Sequence, residues 1–295
     1  MKLDKILVGI DFSPESVHAL AHAERVAARF GAKLLVAHAA QSTESSDQAL
    51  ALGGDTLGHF RSMLVQAKLE GQRRLEGIIE ELAGRGVVAE ERVIEGYADS
   101  AMVDAAEADD VDLVVVGTYG KKGISRLLLG SVAERVVRHC ERHVLVVRGP
   151  SAGYRRVLAA VDFSELSPAV LAAAAGLVED GGRVELFFAW QLAGLSGGLL
   201  PSALSDAALK PVRASVEQGA RDKADALLGA LDTQAELSVT IEEASPARAI
   251  AERAEQGHDL IVMGGHGHRG LRRLILGSVA EATVRQANCS VWVVH

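Results

Sequence analysis

Residues 111–137 read VDLVVVGTYGKKGISRLLLGSVAERVV, and residues 258–284 read HDLIVMGGHGHRGLRRLILGSVAEATV. The second stretch repeats the first without a gap, displaced by 147 positions, and it keeps the pattern Gly-x2-Gly-x9-Gly-Ser. In each copy an apolar run of strand length comes before the glycines, and a segment of helical period follows them. A chain that repeats itself has one fold to explain, so the duplication predicts two similar lobes.

The starts of the two halves also match. The first half begins with KILVGIDFSPES from Lys5, and the second begins with RVLAAVDFSELS from Arg156, displaced by 151 positions. Between the halves, residues 148–153 read RGPSAG, a stretch with turn chemistry and no apolar period. We therefore expect two domains, residues 1–149 and 154–295.

Each half alternates short apolar runs with Ala/Leu-rich segments of helical period, which predicts an α/β fold. The runs in the first half are residues 6–10, 34–37, 87–94, 113–116 and 144–147. Strands that alternate with helices favour right-handed crossovers and a parallel sheet covered on both faces. Five strands per half predict a small Rossmann-like lobe. Residues 41–66 and 191–216 are longer than normal connections, and they are interpreted as lids or as irregular cover.

The composition excludes several classes of protein. A formal net charge of −8 argues against a general nucleic-acid binder, which needs an excess of Lys and Arg on one face. Two cysteines are too few for a disulfide framework. No charged leader precedes the first apolar run, and the weakly polar stretch 192–204 is too short to span a bilayer. The expectation is a cytoplasmic protein without a membrane span.

The glycine-rich stretch predicts a phosphate site at the end of the fourth strand of each half. Glycines let backbone N–H groups approach phosphate oxygens, and the first turn of a helix offers further N–H groups. The two loops of this acidic chain are locally basic, with Lys121, Lys122, Arg126, His266, His268, Arg269, Arg272 and Arg273. Two structural alternatives stay open: Ser131 to Glu134 and Ser278 to Glu281 fit a capping box, and the leading glycines fit strand-end turns. The Walker pattern is absent.

An aspartate ends the first strand of each half, Asp11 in IDFS and Asp162 in VDFS. In a doubly wound sheet the ligand crevice opens at the carboxyl ends of the strands, where the first and fourth strands flank it. A carboxylate there can accept hydrogen bonds from ribose hydroxyls or from an adenine amino group. The alternative is that Asp11 only helps the turn at Ser13 and Pro14 to start the next helix.

Taken together, these residues resemble the universal stress protein family in its ATP-binding branch, over nearly the whole chain as two consecutive copies. The resemblance implies two adenine nucleotide α hydrolase-like lobes, each with five parallel strands in the order 3-2-1-4-5. It also implies ATP as the ligand, and Mg²⁺, where present, would be bound through the phosphates. Carried over by position, the nucleotide-binding residues are Asp11, Ala39, Val116, Gly117, Gly120, Gly130, Ser131 and Val132, and then Asp162, Trp190, Met263, Gly264, Gly267, Gly277, Ser278 and Val279.

Trp190 departs from the family at the adenine contact, where a valine backbone is usual. An indole there would either stack on the base or fill its pocket, and in the second case only the first site would bind nucleotide. The resemblance further implies an intramolecular pair of lobes that replaces the dimer of single-domain members. A homodimer of the whole chain stays open.

Three functions follow as hypotheses. The first is a nucleotide-dependent sensor or regulator in a stress response, because no general base or catalytic set is evident in the sequence. The second is a slow ATPase or an autophosphorylating enzyme that uses the loop hydroxyls, Thr118, Ser131 or Ser278. The third is a chaperone-like interaction scaffold that makes no use of nucleotide. No catalytic residue and no metal ligand is assigned.

Overall fold

A computed structural model describes residues 1–40, 54–118, 129–150, 153–192, 206–266 and 276–295 of the chain. The chain divides into two compact units, Lys2–Ala152 and Gly153–His295, which we call the first lobe and the second lobe. Each lobe is an α/β unit of its own.

The first lobe alternates strands and helices from its first element to its last. Its elements are β1 (Lys5–Gly9), α1 (Pro14–Phe30), β2 (Lys33–Ala40), α2 (Gly54–Gly84), β3 (Ala89–Glu95), α3 (Ala98–Ala108), β4 (Leu113–Gly117), α4 (Ser131–His139) and β5 (His143–Val147). The strands lie in the order β3-β2-β1-β4-β5, and the neighbouring pairs are parallel.

The second lobe repeats this arrangement. Its elements are β6 (Arg156–Ala160), α5 (Ser167–Leu177), β7 (Arg183–Trp190), α6 (Asp206–Gly229), β8 (Glu236–Glu243), α7 (Pro246–Ala254), β9 (Leu260–Gly264), α8 (Ser278–Gln286) and β10 (Ser290–Val294). Its order is β8-β7-β6-β9-β10, again with parallel pairs. The predicted α/β class and the strand order 3-2-1-4-5 are thus confirmed in both lobes.

The central strands are buried on both faces, which explains why they read as unbroken apolar runs in the sequence. Leu113, Val114 and Val115 of β4 are fully buried, as are Leu260, Ile261 and Val262 of β9. The two long connections are partly helical: residues 54–66 belong to α2 and residues 206–216 to α6. The other parts of those connections, 41–53 and 193–205, lie outside the described residues.

A carboxylate ties the first strand of each lobe to the fourth. In the first lobe Asp112 Oδ2 accepts from the backbone N–H groups of Asp4 (2.6 Å) and Lys5 (2.9 Å). In the second lobe Asp259 Oδ2 accepts from those of Arg155 and Arg156, both at 2.7 Å. These bonds satisfy backbone donors at the amino ends of β1 and β6, the edge of the sheet opposite the predicted site.

The second lobe has a charged cluster, which we call the Glu185 triad: the buried Glu185 on β7, the half-buried Arg253 on α7 and the buried His258 before β9. Arg253 Nε donates to Glu185 Oε1 at 2.8 Å, and His258 Nε2 lies 3.0 Å from Glu185 Oε2. Burial opposes ionisation of this carboxyl, but hydrogen bonds from His258, Arg253 and Thr240 outweigh it and lower the pKa of Glu185 to about 2.

The first lobe has apolar side chains at the three matching positions. Leu35 takes the position of Glu185 in the strand register, because β1 aligns Leu7 with Leu35 and β6 aligns Leu158 with Glu185. Ala105 and Arg253 each stand seven residues after the start of their helix. Val111 aligns with His258 in the sequence repeat. All three first-lobe residues are buried.

Within the described ranges, none of the helices combines the length and the hydrophobicity that crossing a bilayer requires.

Candidate functional site

The predicted site residues of each lobe come together at the carboxyl edge of its sheet. β1 pairs directly with β4, and β6 pairs directly with β9. The loop after Asp11 therefore lies beside the end of β4 at Gly117, and the loop after Asp162 lies beside the end of β9 at Gly264. This is the edge at which open parallel sheets bind ligands.

Gly117 allows the end of β4 to approach the start of α1. A Cβ at this position would lie 2.9 Å from the backbone oxygen of Glu15, closer than real Cβ atoms approach. At Gly264 a Cβ would meet the oxygen of His266 and Leu166 Cδ1, each at 3.3 Å. The glycine requirement is thus strict in the first lobe, where the obstacle is backbone, and weaker in the second.

A backbone hydrogen bond closes each glycine-rich loop. In the first lobe Gly130 N–H donates to Thr118 O at 2.7 Å, and in the second Gly277 N–H donates to Gly265 O at 2.7 Å. The two ends of each loop are thereby held together at the edge of the sheet. Gly120, Gly267 and the basic side chains predicted from 121–126 and 268–273 lie outside the described residues.

The helix after each loop begins with its N–H groups at this edge. Gly130 and Gly277 are the N-cap residues of α4 and α8, and neither supplies a side-chain cap. The first intrahelical bonds are Glu134 N–H to Gly130 O and Glu281 N–H to Gly277 O, both 2.9 Å. The N–H groups of the three residues before each of those glutamates therefore have no partner within the helix. The capping-box interpretation is wrong, because Ser131 and Ser278 are the first helical residues and not the caps.

Asp11 has a structural role that the sequence offered as an alternative. Its Oδ1 accepts from the backbone N–H (3.0 Å) and the hydroxyl (2.5 Å) of Ser13, and Ser13 Oγ caps α1 through Ser16 N–H at 3.2 Å. In the second lobe Asp162 Oδ1 accepts from Ser164 N–H at 2.9 Å. Each aspartate thus shapes the loop that places it at the crevice, so helix start and ligand contact are compatible roles.

The residue after each aspartate has a left-handed backbone. Phe12 has φ 62° and Phe163 has φ 59°, although φ above zero is uncommon for a bulky side chain. The Phe12 ring lies 4.7 Å from the His38 ring, and the Phe163 ring lies 4.7 Å from that of Phe188. Sequence reasoning missed these contacts. The recurrence of phenylalanine after both aspartates was the available signal.

The strand registers revise the pairing of the predicted adenine contacts. Ile10 N–H donates to Ala37 O and Val161 N–H donates to Phe187 O, so Ala37 matches Phe187. By this count Ala39 matches Ala189, and Trp190 matches Ala40. Trp190 is only 8% exposed, and its indole N–H has no hydrogen-bond partner among the described residues. The indole therefore stands one residue beyond the position that matches Ala39.

The other predicted residues divide into buried and accessible ones. Val116 and Met263 are buried in their sheets, so a contact from them to a ligand would come from the backbone. Ser131 and Ser278 are exposed at the starts of α4 and α8, and Val132 and Val279 beside them are half-buried. No three metal-ligating side chains come together within the described part of the chain.

Comparison with known proteins gives a consistent result for both lobes. The model of the universal stress protein family matches residues 2–148 and 153–295. Universal stress protein MJ0531 of Methanocaldococcus jannaschii is 34% identical over 146 residues, covering 50% of this chain and 82% of that protein. A universal stress protein of Mycolicibacterium smegmatis is 25% identical over 300 residues, covering 98% and 96%. A solved universal stress protein from Archaeoglobus fulgidus has TM-score 0.66 at 21% identity, covering 100% and 99%, and so shares the fold.

Proposed function

The chain belongs to the universal stress protein family, and from that premise we propose that it binds an adenine nucleotide, ATP, as a nucleotide-dependent sensor or regulator in a cytoplasmic stress response. The observation that carries this proposal is the same in both lobes. An aspartate loop and the start of a helix meet at the carboxyl edge of the sheet, beside a glycine-rich loop whose ends are tied by a backbone bond.

Each part of this arrangement suits one part of a nucleotide. The N–H groups that open α4 and α8 and the positive end of the helix dipole favour the phosphates. The carboxylates of Asp11 and Asp162 suit ribose hydroxyls or the adenine amino group. Mg²⁺ would accompany the phosphates without a dedicated set of protein ligands. Ala39, Gly120 and Gly267 belong to the proposed site on the strength of the family pattern.

The test is nucleotide binding by the full chain. Titration calorimetry and thermal unfolding are measured with ATP, ADP, AMP and cyclic AMP, after mass spectrometry of protein purified without added nucleotide. A ligand at 100 times its Kd should stabilise the folded chain by about 2.7 kcal/mol. The proposal is refuted if none of the four nucleotides, at millimolar concentration, gives a heat of binding or stabilises the folded chain.

One pair of variants separates binding from folding. The double variant Gly130→Asp with Gly277→Asp places an aspartate at the N-cap of α4 and of α8. Aspartate is a favoured N-cap residue, and the N-cap φ values of −67° and −66° are allowed for any side chain. The new carboxylates would nevertheless repel phosphate at the start of each helix. We expect stability to be kept and nucleotide binding to be lost. Asp225→Ala, an exposed change on α6, is the control that should bind as the natural chain does.

The same preparations address two remaining expectations. Phosphate release above background that disappears in Ser131→Ala with Ser278→Ala would add a slow hydrolytic step to the proposed sensor. Light scattering with and without nucleotide reports whether the chain acts as a single pair of lobes or as a homodimer.

A further inference from the structure

The backbone around Asp11 is held in a conformation that it would not favour alone. Phe12 has φ 62°, a left-handed value that is sterically unfavourable for an L-residue other than glycine. Such a conformation persists only where the surroundings hold it. Because Asp11 is the preceding residue, whatever holds Phe12 also sets the position of the carboxylate.

His38 on β2 contacts the residues on both sides of Asp11. Its Nδ1 lies 2.8 Å from the backbone oxygen of Ile10, and its ring lies 4.7 Å from the ring of Phe12. A carbonyl oxygen only accepts, so Nδ1 carries the proton and donates. Ile10 is also held through its N–H, which donates to Ala37 O at 2.7 Å.

Helix α2 completes the enclosure of this loop. The guanidinium of Arg74 lies 4.0 Å from the centre of the Phe12 ring, within the range of a cation–π contact. Gly71 approaches the imidazole so closely that a Cβ there would lie 2.7 Å from His38 Cδ2. The ring of His38 therefore has little freedom to turn away from Ile10.

The second lobe has the same backbone without this hydrogen bond. Phe163 has φ 59° and its ring packs on Phe188, which takes the position of His38 in the strand register. Lys223 lies 5.7 Å from the Phe163 ring, a longer approach than that of Arg74 to Phe12. The phenylalanine side chain has no donor that could replace the imidazole N–H at Val161 O, so ring packing holds this loop without the hydrogen bond that His38 supplies.

We propose that His38 is a positioning residue that keeps the Asp11 loop in its nucleotide-binding conformation, and that Phe188 makes the second lobe the weaker of the two sites. This inference rests on the proposed nucleotide binding. A site whose binding conformation is only partly populated has its affinity reduced by that fraction. Loss of one hydrogen bond, about 0.5–1.5 kcal/mol, corresponds to about a two- to tenfold change.

The affinity test exchanges the two residues. In a chain whose second site is silenced by Asp162→Ala, His38→Phe should weaken ATP binding about two- to tenfold. In a chain silenced by Asp11→Ala, Phe188→His should strengthen binding to the second lobe by a similar factor. His38→Asn, whose side-chain amide places a donor near the position of Nδ1, should recover part of the loss caused by phenylalanine. Unchanged affinity in both exchanges, while Asp11→Ala still abolishes binding to the first lobe, overturns the inference and leaves the proposed function standing.

Amide hydrogen exchange tests the positioning role without any nucleotide. The Ser13 amide donates to Asp11 Oδ1 and the Ser164 amide donates to Asp162 Oδ1, so each reports on its own loop. We expect the Ser13 amide to exchange more slowly than the Ser164 amide in the natural chain. His38→Phe should accelerate exchange of the Ser13 amide and leave exchange of the β1 amides unchanged. Equal acceleration in β1 would mean general destabilisation and would overturn the inference. Nitrogen chemical shifts should show the proton of neutral His38 on Nδ1, and a proton on Nε2 alone would also overturn it. These readouts decide whether His38 positions the Asp11 loop even where no nucleotide binds and the proposed function fails, whereas the order of the two sites is decided by the affinity test.

Discussion

Replacing Glu185 by leucine should destabilise the second lobe, although leucine is what the first lobe carries at this position. The substitution leaves Arg253 and the buried His258 without their carboxylate. The ring nitrogens of His258 lie close to two oxygens, Nε2 3.0 Å from Glu185 Oε2 and Nδ1 3.1 Å from Arg253 O. Glu185→Leu would therefore leave a buried imidazole nitrogen without its hydrogen-bond partner and the Arg253 guanidinium without its counter-ion.

The size of the effect follows from the pKa of Glu185, which falls from 4.5 to about 2 in the folded chain. One pKa unit is worth about 1.36 kcal/mol, so the ionised carboxylate contributes about 3 kcal/mol to stability at neutral pH. Because the folded pKa is the lower one, this contribution is complete above the ordinary pKa and is lost as the pH falls from about 5 towards 2. Glu185→Leu should remove both the contribution and its pH dependence.

The matched control is the full exchange for first-lobe residues: Glu185→Leu, Arg253→Ala and His258→Val together. Replacing a whole buried ion pair by apolar side chains is often neutral or stabilising, whereas removing one partner costs about 3–5 kcal/mol. We therefore expect the triple variant to lie within about 1 kcal/mol of the natural chain. The single variant should lie about 3 kcal/mol below it.

Amide hydrogen exchange measures the two lobes separately in one sample. Amides in β7 and β9 report on the second lobe, and those in β2 and β4 serve as the internal reference. A single variant as stable as the natural chain at pH 7 would refute the energetic argument. A triple variant as unstable as the single one would show that the three side chains do not act as a unit.

Three further predictions concern Gly117, Cys140 and His22. Gly117→Ala should destabilise the first lobe by about 1–3 kcal/mol, because the new Cβ meets a backbone oxygen. Gly264→Ala should destabilise the second lobe less, because its Cβ meets a flexible leucine side chain and a more distant carbonyl oxygen. Chemical denaturation of each variant measures the difference. Burial raises the pKa of the Cys140 thiol, so mass spectrometry after alkylation should find Cys289, which is partly exposed, modified first; equal rates would contradict this. Burial lowers the pKa of His22 from 6.5 to about 4, so the free energy of unfolding of the first lobe should fall by up to about 3 kcal/mol as the pH falls from 6.5 to 4. His22→Ala should show a smaller fall over the same interval, measured by amide hydrogen exchange at a series of pH values.

The sequence predicted those parts of the fold that depend on local pattern and repetition. Continuous apolar runs mark strands buried on both faces, and the run that ends at Gly117 recurs at Gly264, so a parallel sheet in each lobe could be expected. The strand order came from the family resemblance. The position of the helix start could not be expected, because serine followed by glutamate three residues later fits a capping box equally well. Only the backbone shows that Gly130 is the cap.

Contacts between distant residues could not be read from local pattern. Asp112 ties down Asp4 from 108 positions away, and its recurrence as Asp259 was visible in the repeat without any indication of what it binds. The Glu185 triad was equally hidden, since its members come from three separate elements. Their partners follow from the strand register, which periodicity alone does not determine.

The two lobes show which parts of this fold tolerate change. The loop closure and the helix start are the same in both, down to the bonds at Gly130 and Gly277, because backbone atoms form them and many side chains are compatible with them. The side chains that pack around this backbone differ between the lobes. The first lobe has His38 and the apolar Leu35 where the second lobe has Phe188 and the Glu185 triad. If nucleotide affinity follows the shared backbone alone, the two sites should bind equally. If nucleotide affinity depends on the supporting side chains, exchanging His38 and Phe188 should make the second site the tighter of the two.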